Sequence, residues 1–191
     1  MRFLNARQCV HDAYATNQTT PDRMEAGGTK FNSNNAVCHQ AEAGKIIKAV
    51  SSQKAYLAAT CIFLHAPDGW ATEKDVALMK SRIWAAFVKS SGAQMDLGLQ
   101  GDMLAIFDRV LLNYRRSLSN SSSGDLYTGA HIATILGRSP ESYHAKIRPL
   151  QNLLHDVLER LDFISLQPVW EIVNAERAKV QIQREAEQCA G

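Results

Sequence analysis

The stretch His131–Ile147, HIATILGRSPESYHAKI, decides how the chain folds around it. It reads as a helix, a glycine-pinned turn and a second helix. Ala133 and Gly137 stand four residues apart, as a helix-turn-helix requires. The first position must be small because the second helix crosses there. The second lies where the chain leaves the first helix, and glycine takes a positive φ there at little steric cost. Ile132, Ile135 and Leu136 are expected to face the core. Ser139 is expected to cap the second helix, with Pro140 at its first position and the acid Glu141 next. In DNA-binding versions of this unit the second helix lies in the major groove.

The residues placed to reach base edges are Arg138, Ser139, Glu141, Ser142, Ala145 and Lys146. Arginine favours guanine, glutamate accepts from cytosine, and alanine can touch a thymine methyl. His144 is expected on the same exposed face. Arg115, Arg116 and Arg148 are candidates for phosphate contacts, which fix register but carry little sequence information. Two departures from the usual pattern stand beside this reading. Arg138 occupies a turn position that is more often apolar, and Lys146 stands where a buried residue is usual, with Ile147 one place later. An ordinary helical hairpin with a glycine cap is the alternative.

Working outward, the pattern is helical almost throughout. Residues 36–117 read as a block of helices. Two fall between Asn35 and His65, the second capped by Ser51 or Ser52 and ended by Pro67-Asp68-Gly69. Thr72 starts the next, with Glu73 and Asp75 at the positive end of its dipole. Val76, Met79, Ile83 and Phe87 recur in it at spacings of three and four. A further helix runs from about Gly101 to Ser117, its buried face formed by Met103, Leu104, Phe107, Val110, Leu111 and Tyr114. Trp70 either staples the entrance of the Thr72 helix or stays exposed for a partner. Residues 117–124, SLSNSSSG, read as a flexible polar connection.

The region 125–191 holds the helix-turn-helix, a long helix with a kink or restart at Pro149 and a separate last helix from about Leu166 to Glu187, with Pro168 in its first turn. Residues 1–35 read as an irregular arm rich in Asn, Thr, Gly and Asp. No segment alternates like a strand, so the fold class is all-α.

Composition narrows the function. The chain has 191 residues, 46% of them hydrophobic, and a net charge of only +2. The charge is unevenly placed. Residues 106–150 carry six basic and three acidic residues; residues 151–191 carry four basic and seven acidic. The basic segment contains the candidate DNA-binding unit, and the acidic end suits a protein partner better than phosphate. Cys9, Cys38, Cys61 and Cys189 form no C-x-x-C pair, and Cys9/His11 and Cys38/His39 are too close in sequence to converge on one ion, so no metal and no cofactor is expected. Nucleotide-binding, zinc-protease and serine-hydrolase motifs are absent from the sequence, and an enzyme is not expected. Glu159 with Asp162, and Asp96 with Asp102, read as solvated carboxylates. No signal peptide or membrane-spanning run is seen, which makes a reduced, cytoplasmic protein the expectation.

Two blocks together resemble a known family. One is AYLAATCIFLHAPDGWATEKDVALMKSRIWAAF, followed at short distance by LAIFDRVLLNYRRS; the other is GAHIATILGRSPESYHAKIRPLQNLL. In order and spacing, over roughly residues 55–173, they resemble the late-gene antitermination Q proteins of lambdoid phages. The resemblance implies a protein that binds double-stranded DNA within a late promoter. It would then load onto paused bacterial RNA polymerase through the β flap and σ region 4, and carry the enzyme past terminators. It assigns DNA reading to Arg138, Ser139, Glu141, Ser142 and Lys146, and the polymerase surface to residues 55–117. The lambda-type protein carries a four-cysteine zinc motif between the blocks. Here that place holds SLSNSSSG, so the resemblance is to a zinc-free branch. A helix-turn-helix regulator that stays at an operator is the second expectation, and a scaffold with a purely structural hairpin the third.

Overall fold

A computed structural model describes residues 5–18, 33–92, 95–118 and 126–189. Among them there is no strand, and the fold is all-α. The helices are α1 (Ala6–Gln18), α2 (Ser33–Ser51), α3 (Ala55–His65), α4 (Glu73–Ser91), α5 (Leu97–Leu118), α6 (Gly129–Ile135), the single turn α7 (Pro140–Ser142) and α8 (Arg148–Cys189). A π-turn, Tyr143–Ile147, joins α7 to α8. No described helix is long and apolar enough to cross a membrane.

Packing divides the chain into two units, Met1–Leu78 with Phe163–Gly191, and Met79–Asp162. This division differs from the expected segments 1–35, 36–117 and 125–191, because the C-terminal part of α8 returns to the N-terminal helices.

In the first unit α1 packs on α2 and α3. Its buried residues are Ala6, Cys9, Val10, Ala13 and Tyr14, a helical stripe whose alanines let a neighbouring backbone come close. Ala43, Ile46 and Val50 of α2, Cys61 of α3, and Leu166, Val169 and Val173 of α8 complete this core. Residues 6–18 are therefore a core helix and not an irregular arm. Asn5 opens it by accepting the Arg7 N–H at 3.0 Å. The Asn- and Thr-rich residues beyond conceal the stripe when the whole region is averaged.

Ser51 and Ser52 do not cap α3. Their hydroxyls donate back to the carbonyls of Lys48 and Ala49 and finish α2, and α3 starts after Lys54 without a side-chain cap. Buried residues lie nearly all round α3: Leu57, Ala59, Thr60, Cys61, Leu64 and His65. The Pro67–Gly69 turn follows, with Gly69 at φ 90°. It delivers Trp70, half-buried, edge-on to Tyr14 with ring centroids 5.0 Å apart. Thr72 and Asp75 cap α4 reciprocally: the Asp75 N–H donates to Thr72 Oγ1 at 3.2 Å, and the Thr72 hydroxyl donates to Asp75 Oδ2 at 2.6 Å.

The second unit is built on Met79, Ile83 and Phe87 of α4 and Met103, Ile106, Phe107, Val110, Leu111 and Tyr114 of α5. Ile132 and Ala133 of α6, Tyr143 and Ile147 of the π-turn, and Leu150, Leu154, Val157 and Leu158 of α8 are buried as well. Trp84 lies 5.5 Å from the Phe87 ring and 5.4 Å, edge-on, from Phe107. Leu104, expected on the buried face of α5, is 60% exposed. It stands on the side of the helix opposite Ile106 and Val110. The connection expected at 117–124 lies mostly outside the described residues.

Helix α8 corrects the expectation of two separate helices. It runs unbroken through 42 residues with Pro168 inside it. The missing Pro168 N–H costs one bond to the carbonyl of Ile164, and apolar residues on both sides of it (Leu166, Val169 and Val173) hold the helix in its unit's core. Over residues 174–188 its side chains are exposed apart from the half-buried Glu176. Pairs such as Lys179–Glu176 and Gln181–Glu185 support these polar turns.

Candidate nucleic-acid interface

The corner between α6 and α7 is set by local bonds. Thr128 Oγ1 accepts the His131 N–H at 3.3 Å and opens α6. At the other end the Gly137 N–H donates to the Thr134 carbonyl at 3.1 Å, and the Arg138 N–H to the Ala133 carbonyl at 2.9 Å. This pair of bonds is a Schellman ending, and it requires the left-handed Gly137, φ 59°. Ser139 Oγ then accepts the Ser142 N–H at 3.2 Å, with Pro140 in the first turn. Two further groups hold the corner in place. Buried Asn113 of α5 donates to the Tyr127 carbonyl at 2.8 Å and accepts the Tyr127 N–H at 3.0 Å. The buried Tyr143 ring lies against Gly129, where an added Cβ would stand 2.9 Å from Tyr143 Cε1. The Tyr143 hydroxyl donates to Gln151 Oε1 at 2.7 Å.

Pro149 acts just ahead of itself. A proline there removes the N–H that an α-helix would bond to Ala145. The expected kink or restart takes the form of a restart: the chain widens into the π-turn, where the Arg148 N–H donates to the Tyr143 carbonyl, and α8 begins at Arg148. Tyr143, Ile147 and Leu150 face the core. Ser139, Glu141, His144, Ala145, Lys146, Arg148 and Pro149 are exposed, and Ser142 is half-buried. The extra residue in the wide turn explains why Ile147, and not Lys146, is the buried position.

The exposed strip carries cationic side chains at Lys146 and Arg148, and Arg148 Nη1 lies 3.3 Å from His144 Nδ1. Glu141 remains an anion within it. Its own backbone N–H and the Ser139 hydroxyl hold its carboxyl below the usual carboxylate range. Beside the strip is a groove of about 460 Å³ lined by Asp96, Gly98, Leu99, Arg138, Ala145, Lys146, Pro149 and Leu150.

Arg138 is not a free reader of bases. Its guanidinium donates to Asp102 Oδ2 at 2.6 Å, with side-chain exposures of 34% and 17%. The reading of Asp102 as a solvated carboxylate is therefore corrected, since it holds Arg138; Asp96 is exposed as expected and accepts the Leu99 N–H at 2.8 Å to cap α5. Asp162 likewise is 1% exposed and accepts from the Tyr114 hydroxyl at 3.3 Å. Arg115 and Arg116 are half-buried and engaged in interactions of their own. They stand about 20 Å along the α5 axis from Asp102, by the rise per residue, so they do not share a patch with Arg138. Ile135, expected in the core, is 37% exposed because the helix that carries it ends there.

Linear spacing gives no sign of the Asp102–Arg138 pair or of the Tyr143–Gly129 contact, since each partner comes from a different element. No three His, Cys, Asp or Glu side chains gather in metal-binding geometry among the described residues. Cys9 and Cys61 are buried free thiols. In comparison with known proteins, no family model, no curated protein and no solved structure matches the chain significantly.

Proposed function

We propose that this protein binds duplex DNA through the exposed strip from Ser139 to Arg148, and acts as a late-gene transcription antiterminator that accompanies bacterial RNA polymerase. The observation that carries the DNA-binding part is the division of that segment. Its apolar residues Tyr143, Ile147 and Leu150 are buried, while His144, Ala145, Lys146 and Arg148 are open. A helix of this polarity, with lysine and arginine on its outer side, suits a major groove flanked by phosphates. Ser139, Glu141, His144, Ala145 and Lys146 are then the base-facing set, with Ser142 at its edge and Arg148 on phosphate. Arg138 contributes through its hold on Asp102. The antitermination part rests on the resemblance to the lambdoid Q proteins. On that reading the protein works in the bacterial cytoplasm, without catalysis, metal or cofactor.

Two measurements test it. Retention of a random-sequence duplex pool should fall for Lys146→Ala and Arg148→Ala, and the dependence of retention on salt should flatten by about one ion for each lost phosphate contact. Wild-type protein that retains no duplex ends the DNA-binding reading. Transcription from a late promoter of the parent genome, through a downstream terminator, should show increased readthrough. Binding to the promoter with no readthrough would leave the operator-bound regulator as the function.

A further inference from the structure

We propose that the main-chain carbonyl of His144 is a ligand-directed hydrogen-bond acceptor, which on DNA takes the exocyclic amino group of adenine or cytosine. The inference deepens the DNA-binding reading and rests on it.

In an α-helix the carbonyl of residue i accepts the N–H of residue i+4. For His144 that donor is Arg148, whose N–H is directed to the Tyr143 carbonyl. In the wider π register the donor for His144 is residue 149, which is proline and has no N–H. Among the described residues, the His144 carbonyl thus has neither of its main-chain donors. A buried carbonyl in this state would be costly. This one belongs to a turn whose outer side chains, His144, Ala145, Lys146, Arg148 and Pro149, are all exposed. Carbonyls on the open side of a helix tilt outward, and π-turns recur at functional sites.

The chemistry selects the ligand. In the major groove the base-pair donors are the adenine N6 and cytosine N4 amino groups; guanine and thymine edges present acceptors that a carbonyl rejects. Lys146 and Arg148, one on each side of buried Ile147, supply the charge that brings a duplex to this turn. The carbonyl then discriminates at one base without any side chain, which a side-chain substitution scan would not reveal.

The test uses the full chain and Pro149→Ala, with a random-sequence duplex library as the probe. Alanine restores an N–H that donates to the His144 carbonyl in the π register, with the turn kept and Ile147 still buried. Thermal unfolding should rise by about 2–4 °C for each kcal/mol recovered, which also checks that the variant folds. Wild type should enrich a motif with adenine or cytosine at one position facing the turn, and Pro149→Ala should retain the pool but lose that preference. Within the enriched site, replacing that cytosine by 2-pyrimidinone, or that adenine by purine, deletes only the amino group. Wild-type affinity should fall about five-fold, the scale of one hydrogen bond, and the variant's should not change. An unchanged preference in Pro149→Ala, or amino deletion that leaves wild-type affinity intact, overturns the inference while leaving DNA binding standing. Retention of the pool by wild type without an enriched motif overturns the inference alone, and no retention of duplex by wild type overturns both.

Discussion

The Arg138 guanidinium meets the Asp102 carboxylate at 2.6 Å and ties the residue after the glycine corner to the first turns of α5. Only a third of the Arg138 side chain is exposed, so its charge is already matched. Arg138→Ala and Asp102→Ala should each cost about 1 kcal/mol, and the double variant should cost clearly less than the sum. Chemical denaturation of the four proteins completes the cycle. Strictly additive losses would free Arg138 for a direct role on DNA.

Gly129 carries a steric requirement that helix propensity alone would miss. Alanine is the better helix former by about 1 kcal/mol, yet its Cβ would stand 2.9 Å from a ring that is buried and tied by its hydroxyl to Gln151. Overpacking wins, and Gly129→Ala should destabilise by about 1–3 kcal/mol. Tyr143→Leu in the same background should recover part of that loss in urea titrations.

Asn113 is a buried amide that serves the Tyr127 backbone twice. Asn113→Ala leaves that peptide N–H and carbonyl without their partner, at a cost of about 1–3 kcal/mol. Hydrogen exchange at the Tyr127 amide should accelerate by more than global stability accounts for. Asn113→Asp should fail to rescue, since it restores only the acceptor.

Tyr14 sets an alkaline limit. Burial, and then the neighbouring Cys61, push its phenol from about 10 up to about 12. The folded state therefore favours the neutral ring. Its contribution is fully present below pH 10 and is lost as pH rises toward about 12. Stability measured across that window should fall, and Tyr14→Phe should remove most of the slope. Ultraviolet titration of tyrosinate in the folded protein should lose a late-ionising component in Tyr14→Phe.

The helices legible in the sequence were those whose apolar stripes stand alone in their window. Met79, Ile83 and Phe87 announced α4, and Met103, Phe107, Val110 and Leu111 announced α5. The caps at Thr72 and Ser139 and the turn at Gly137 were equally readable, because each is decided by bonds within a few residues. Helix α1 was hidden by the polar residues around a short stripe. The continuity of α8 was hidden by Pro168, whose local cost is outweighed by the long-range burial of Leu166, Val169 and Val173. Within the candidate interface, sequence placed His144, Lys146 and Arg148 on the open side. It missed the commitment of Arg138, which depends on an acid 36 residues away.

The first unit's core is closed by Leu166, Val169 and Val173, which the ribosome makes only after the whole of the second unit. While the chain is being translated, the apolar sides of α1, α2 and α3 have nothing from α8 to cover them. The intervening segment, whose buried residues are contiguous in sequence, is free to fold first. Burial of those apolar sides thus waits for α8, and a nascent chain that stops short of Leu166 would display α1, α2 and α3 as a binding site for chaperones.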